Sequence, residues 1–212
     1  MVGGLASGAR ALDVGGGPGA HAAVWAELGY RAVVLDPGEA MLETAGARTG
    51  ISAVRGVAQR MPFRPRSFAA GLFHLSIHYG DWRSAVDEAL RVVVPGGAVW
   101  IWTLGPDHHE ASLLGRWFPR VASLDRARFP DPAEMVAYLA ERCELQVGRE
   151  LEVKIRPVGE WAAAVRAGFV STLQLLSAEE LSDGLARFEA ANPDPAGEIR
   201  YDMRWTWLVA RR

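Results

Sequence analysis

Cysteine is almost missing: Cys143 is the only one among 212 residues. A lone thiol excludes an internal disulfide framework and a cysteine-rich metal site. Lysine is as scarce, with Lys154 alone, and the arginines are scattered along the chain. No window holds the clustered cations that neutralise a phosphate backbone, and the formal net charge is −2. Nucleic acid is therefore not an expected partner. No apolar run reaches the roughly 18 residues of a membrane span. The longest, over about 92–104, is cut by Pro95-Gly96-Gly97. The opening "MVGGLASGAR" lacks the apolar segment of a secretory signal. Together these absences predict a cytoplasmic protein with no membrane partner.

Half of the residues are apolar and 23% are charged, the balance of an ordinary globular chain. The length suits one domain. A short apolar strand at 11–14 runs into "GGGPG", and "HAAVWAELG" then places apolar residues at helical spacing with Gly29 as the stop. "RAVVLD" is a second strand, apolar throughout as expected when both faces are covered, and it ends on Asp36. "GEAMLETAGAR", "ISAVRGVA", "FAAGLFHLS", "WRSAVDEALRVVV" and "GGAVWIWTL" continue the alternation of helix and strand. This predicts an α/β fold with a doubly wound, mostly parallel sheet.

Beyond residue 105 the pattern changes. "DPAEMVAYLAERC" reads as a helix containing Cys143, 145–156 as a long alternating strand, and 158–191 as helical with a break at Gly168-Phe169. The end, "EIRYDMRWTWLVARR", is a strand with Ile199, Tyr201, Met203, Trp205 and Trp207 on one face.

The stretch "LDVGGGPG" admits three readings. It can be a tight strand-to-helix turn with no ligand, since glycine tolerates positive φ. Gly15, Gly17 and Ala20 also fit the dinucleotide fingerprint, with Asp36 near the usual acidic position. The third reading uses both acids. Asp13 could face an ammonium while Asp36 accepts the two hydroxyls of a ribose, which suits S-adenosylmethionine.

Five segments in order now resemble one family. "LDVGGGPG" resembles D-x-G-x-G-x-G, and "LDPGEAML" resembles D-x-S-x-x-M-L with Gly38 where serine is common. "GVAQRMPFRPRSF" resembles G-D-A-x-x-L-P-F-x-x-x-S-F, "LSIHYGDW" the L-H-H segment, and "ALRVVVPGG" the run L-R-V-L-K-P-G-G. The chain thus resembles the class I S-adenosylmethionine-dependent methyltransferases, in particular the small-molecule group that includes quinone-biosynthesis enzymes.

The resemblance implies a seven-stranded, Rossmann-like methyltransferase fold with a helical insertion before a last, antiparallel strand. It implies one domain over 1–212, with a cofactor-binding half at 1–104 and a substrate-facing half at 105–212, capped by about 158–191. Asp13 and the backbone at Gly15, Gly17 and Gly19 would hold the methionine part of the cofactor. Asp36 would take the ribose diol, Pro37 and Met41 would flank the adenine, and Val57-Ala58 would meet its edge. His74 and Leu75 would lie near the transferable methyl, whose acceptor would be a small molecule. Core filling is an equally simple role for Met41.

The chain also departs from the family. Relatives usually carry an acid at the Val57 position and often one at Ala69. They place a helix before the first strand, where this sequence has about ten residues. A truncated start or a lid from another segment would account for that. A non-catalytic cofactor-binding protein and a nicotinamide-dependent oxidoreductase are the competing classes.

Methyl transfer is an in-line displacement, and alignment alone contributes roughly 7–11 kcal/mol. If a base takes part, histidine suits neutral pH best. His74 and His78 are the candidate catalytic residues, the alternative being loop histidines that only shape the pocket. His108 and His109 are expected on the loop after strand five, and His21 in the first turn of helix one. "DHHE" has no third ligand at helical spacing, so no metal is expected. Trp117, Phe118 and Phe129 stand beside arginines and could bind an aromatic or carboxylated acceptor, or simply pack.

Overall fold

The computed structural model describes residues 7–212. Residues 1–6, part of the stretch read as lacking a secretory signal, lie outside the described residues. The chain divides into two compact units, and β6 and β7 contribute to both.

The first unit holds the described residues up to Thr103, Pro132–Gly148 and Thr206–Arg212. Its strands are β1 (Arg10–Val14), β2 (Arg31–Asp36), β3 (Ile51–Arg55), β4 (Phe68–His74) and β5 (Val93–Leu104). Its helices are α1 (Ala20–Glu27), α2 (Glu39–Gly46), α3 (Trp82–Val92) and α7 (Pro132–Ala140). The start of β6 (Glu144–Pro157) and the end of β7 (Glu198–Arg211) complete a seven-stranded sheet in the order β3-β2-β1-β4-β5-β7-β6. Strands β1 to β5 pair in parallel, and the β5-β7-β6 end is antiparallel. The expected doubly wound sheet with an antiparallel last strand is the fold observed.

Alternation along each strand explains the apolar runs. Leu12, Val14, Val33 and Leu35 join the core that contains Val86 and Val92 of α3 and Met135 and Leu139 of α7. Their neighbours Ala11, Ala32 and Val34 join a second cluster with Ala22 and Trp25 of α1 and Ala45 of α2. Both faces are covered, so every second-face position must also be apolar. Helix α3 starts where Asp81 accepts from the backbone of Arg83 and Ser84, a cap that contributes about 1 kcal/mol.

Two of the family-like segments also hold each other. Arg91 donates to the carbonyls of Phe63 (2.9 Å) and Met61 (3.1 Å), and Glu88 accepts from Met61 N at 2.7 Å. The "MPF" turn and the "LR" of α3 are thus one hydrogen-bonded unit.

The second unit contains Leu104–Asp131 and Arg149–Trp205. Its helices are α4 (Pro106–Ala111), α5 (Leu113–Trp117), α6 (Pro119–Arg128), α8 (Val158–Arg166) and α9 (Ala178–Ala191), with a 3-10 turn at Ser171–Leu175. A capping box between Ser177 and Glu180 opens α9. Phe118, Trp161, Val165 and Phe188 form its core, with the rings of Trp161 and Phe188 4.2 Å apart.

Three expectations need correction. Helices α4 to α6 occupy 106–128, where the sequence pattern offers no element. Pro106 and Pro119, each in the first turn of a helix, are the local signal that marks two of them. Cys143 lies just past the end of α7, not inside a helix. In β7, Ile199 and Trp205 are buried, but the buried set then becomes Thr206, Leu208 and Ala210, leaving Trp207 half-buried. The switch falls where the strand passes from the second unit to the first. Among the described residues no helix is long and apolar enough to cross a membrane.

Candidate functional site

Strand register aligns the carboxyl edge of the first unit. Val14 pairs with Leu35, Asp36 with Arg55, Asp13 with Leu72, and His74 with Trp102. Continued by one step beyond β1, that register places Arg55, Asp36, Gly15, His74 and Trp102 in one row. The row marks the end of the sheet at which open α/β folds bind ligands.

The glycine loop grows from this row. Gly15 N donates to Leu35 O at 2.7 Å, extending the β1–β2 ladder into the turn. Gly15 has φ +65°, and a Cβ there would lie 2.6 Å from the Cβ of Ser76. Ser76 is itself fixed by donating to Val14 O at 2.5 Å. Gly17 has φ +52°, and a Cβ on it would meet only Met41 Sδ, at 3.9 Å. The loop is packed against protein at Gly15 and open at Gly17. Gly19 is the N-cap of α1 in the left-handed conformation.

Asp36 organises the loop. Its Oδ2 accepts from Gly17 N at 3.0 Å and its Oδ1 from Gly38 N at 2.8 Å. A carboxylate has about four lone-pair sites, so each oxygen retains one for a further donor. Asp13 is only 1% exposed, and a Cβ on Gly16 would fall 2.4 Å from its Cγ. Its carboxylate therefore lies beneath the loop rather than open to it. Burial pushes its pKa up to about 7, against a lowering bond from the Ala22 backbone, and the nearby negative charge of Asp36 adds to the rise. Asp13 Oδ2 is buried with no hydrogen-bond partner.

The rim beside the acids is apolar and open. Met41 is 47% exposed and Val57 46%, so neither fills the core. Pro37 is exposed and Ala58 half-buried. Gly56 N donates to Asp36 O at 3.1 Å and so ties the segment before Val57 to the end of β2. These residues fit a nucleoside: an acid for the diol, apolar side chains for the base, and an orphaned buried acceptor below the loop.

His74 ends β4, half-buried, with its ring 4.2 Å from that of His21. His21 sits in the first turn of α1 as expected, and burial lowers its pKa. Nothing in the sequence links the two, because their contact depends on how α1 packs on the sheet. Leu75 takes φ +51°, unusual for a side-chain-bearing residue, and its N donates to Trp102 O at 3.0 Å. Such strain is held at functional sites by the surrounding structure. His78 lies outside the row, buried in the loop after β4 with its ring 4.1 Å from Tyr79. Gln59 of the "GVAQ" segment donates to Tyr79 O at 2.7 Å and steadies that loop.

The other site expectations lie in the second unit. His108 and His109 are buried on helix α4, not on a loop. Phe118 belongs to the core, Trp117 meets Phe188 edge-on, and the Phe129 ring is 5.1 Å from His109. Arg128 donates to Thr172 (2.7 Å) and Ser171 (3.0 Å). These aromatics and Arg128 are engaged in packing within the unit.

Residues 12–101 match the family model described as "Methyltransferase domain". Among curated proteins none matches the sequence. A structure described as a methyltransferase from an antibiotic biosynthesis pathway of Anabaena variabilis is 18% identical, with a TM-score of 0.81 over 98% of this chain and 92% of that one. A methyltransferase structure from Bacillus halodurans is 19% identical, with a TM-score of 0.65 over 98% and 93%. A phosphoethanolamine N-methyltransferase of Haemonchus contortus, solved with S-adenosylhomocysteine, is 18% identical, with a TM-score of 0.60 over 99% of this chain and 50% of that one. These likenesses share the fold, while the family match covers the strands and loops that build the site. Residues 12–101 thus match a methyltransferase domain, and the chain as a whole shares the fold of these methyltransferase structures.

Proposed function

We propose that the carboxyl-edge row seats S-adenosylmethionine and that the methyl acceptor is a small molecule. The observation that carries the seating is the anchored Asp36 carboxylate, held by Gly17 N and Gly38 N in register with Gly15 and His74. Its two remaining acceptor sites match the two hydroxyls of a ribose. Pro37 and Met41 flank the adenine, and the Val57-Ala58 backbone meets its edge. Gly15, Gly17 and Gly19 give the methionine part a close approach to backbone. Asp13 braces the loop from below and lends negative charge at the end that takes the ammonium, and Leu75 closes the β4 side.

When bound, the cofactor supplies an electrophilic methyl group on a sulfonium. The protein's task is then alignment, the largest contribution available to it. His74 ends the strand beside β1 and is the group placed to accept a proton from the acceptor as it attacks. Such a base contributes typically 10²–10⁴-fold. His78 shapes the loop that holds this end of β4. A small acceptor is supported by the scattered arginines and the net charge of −2.

The deciding experiment is calorimetric titration with S-adenosylhomocysteine, and with NADH and NADPH in parallel. Asp36→Ala removes two charge-assisted acceptor sites, each contributing roughly 1.5–3 kcal/mol, and is expected to weaken S-adenosylhomocysteine at least tenfold. Unchanged affinity in that variant would refute the seating. Binding of a nicotinamide nucleotide instead would overturn the cofactor.

A further inference from the structure

Strand β6 forms one edge of the sheet, next to β7 alone. It runs fourteen residues, Glu144–Pro157. A long edge strand offers unpaired backbone groups to another strand unless something blunts it. Within the second unit this strand also exposes an apolar stripe. Leu151 is 59% exposed, Ile155 55% and Val153 38%. They alternate, so they share one face of the strand.

The segment 150–156 reads Glu-Leu-Glu-Val-Lys-Ile-Arg, and its charges reverse sign about Val153. Consider two copies of this strand running antiparallel across a two-fold axis at Val153. Residues opposite each other then have numbers symmetric about 153. Leu151 faces Ile155 and Val153 faces Val153 on the apolar side. Glu150 faces Arg156 and Glu152 faces Lys154 on the other. Every pair is apolar with apolar or acid with base, the pairings that stabilise an antiparallel ladder. A shift of two residues along the ladder places Glu152 against Glu152 or Lys154 against Lys154 of the other copy, and a shift of four opposes Glu150 to Glu152 or Lys154 to Arg156, so charge favours the symmetric register. Pro157, which has no N–H, marks the end of the paired segment.

Within one chain, Glu152 already holds Lys154 and accepts from Trp205 Nε1 at 3.1 Å. These contacts fix the two inner charges on the strand.

We infer that the protein forms a two-fold homodimer by antiparallel pairing of β6 edges centred on Val153. The contact is isologous, as a closed dimer requires.

The test is the oligomeric state of the full chain by sedimentation velocity. The wild type is expected to be a dimer. Glu150→Arg places arginine against Arg156 of the other copy, and Arg156→Glu places glutamate against Glu150. Each variant alone is expected to weaken dimerisation about tenfold or more, since both symmetry-related pairs become repulsive. Mixing the two variants restores opposite charges at both pairs and is expected to restore the dimer. A monomeric wild type, single variants that stay dimeric, or a mixture that stays monomeric would each overturn the inference.

The register has its own test in a Cys143→Ser background. Val153→Cys faces itself across the axis and should form a covalent dimer on oxidation, whereas Leu151→Cys faces Ile155 and should not. Equal cross-linking of both, or none at Val153→Cys, would refute this register.

Discussion

Asp13 in the first unit and the His108–His109 pair in the second are all displaced by burial, but toward opposite ends of the pH scale. Asp13 is pushed up to about 7. Each histidine is pushed down to about 4, with burial the leading cause; His109 adds to the lowering at His108, and Arg126 to that at His109. Their surroundings differ as much as their charge. Asp13 Oδ2 has no partner beneath a loop that opens at Gly17. His108 Nδ1 accepts from Arg204 N at 3.2 Å, and His109 Nδ1 lies 4.0 Å from Asp125 Oδ2. Asp125 in turn accepts from Thr172 at 2.5 Å, and Thr172 from Arg128. Both units bury polar atoms without a hydrogen-bond partner, such as Trp100 Nε1 in the first and Trp117 Nε1 in the second. Asp13 Oδ2 differs in being a carboxylate oxygen beside the proposed ligand seat.

The comparison breaks hardest at Gly15. Gly15→Ala puts a Cβ 2.6 Å from that of Ser76 at a backbone φ of +65°. The left-handed backbone costs about 1–2 kcal/mol and the overpacking about 1–3 more. Thermal unfolding should show a loss of roughly 2–5 kcal/mol, and calorimetry the loss of S-adenosylhomocysteine binding. A variant that keeps wild-type stability and affinity would mean that the loop is not held as the structure shows.

Asp13→Asn sharpens the comparison through pH. The folded pKa of Asp13 lies above its ordinary value of 3.8. Its contribution to stability is therefore full below about 4 and is lost as pH rises through about 7. The wild type should lose stability over that window relative to Asp13→Asn, by up to about 4 kcal/mol at ~1.4 kcal/mol per unit. Denaturant titrations of both proteins at pH 5 and pH 8 measure the difference. Parallel profiles would show that Asp13 is not buried as a neutral acid.

The histidines run the other way. Their folded pKa values lie below 6.5, so their contribution is present above 6.5 and is lost as pH falls toward about 4. Asp125, raised mainly by burial, offsets part of this within the same unit. Between pH 7 and pH 5, protection factors, each taken against the intrinsic exchange rate at that pH, should therefore fall in α4 and α6 and rise in β1 and α1. Uniform change across the chain would remove the contrast.

What the sequence made legible follows the same division. The glycine loop, Asp36 and the β1-to-β5 alternation are local: each motif sits within a few residues of the strand end it serves. The row of Arg55, Asp36, Gly15, His74 and Trp102 needs only strand order and register. Asp13 was readable as a motif residue, but its burial under Gly16 was not, because that depends on how the loop folds back. In the second unit the informative contacts span 43 to 96 residues, as between Arg128 and Ser171 or His108 and Arg204. No periodicity announces such pairs. His108 and His109 looked like edge histidines because they follow β5 directly, yet α4 turns them into a core.

The smallest effect tests whether that second polar cluster is structural alone. Thr172 stands between Asp125 and Arg128, donating to the carboxylate and accepting from the guanidinium. Thr172→Val keeps the shape and removes both bonds. Loss of a buried hydrogen-bond partner costs about 1–3 kcal/mol, partly relieved because Arg128 keeps Ser171. Unfolding should report a loss of about 1 kcal/mol, near the low end of that range. S-adenosylhomocysteine affinity should stay within about twofold, a shift of under 0.5 kcal/mol. If affinity falls more than stability does, the cluster is coupled to the proposed cofactor seat and is not structural alone.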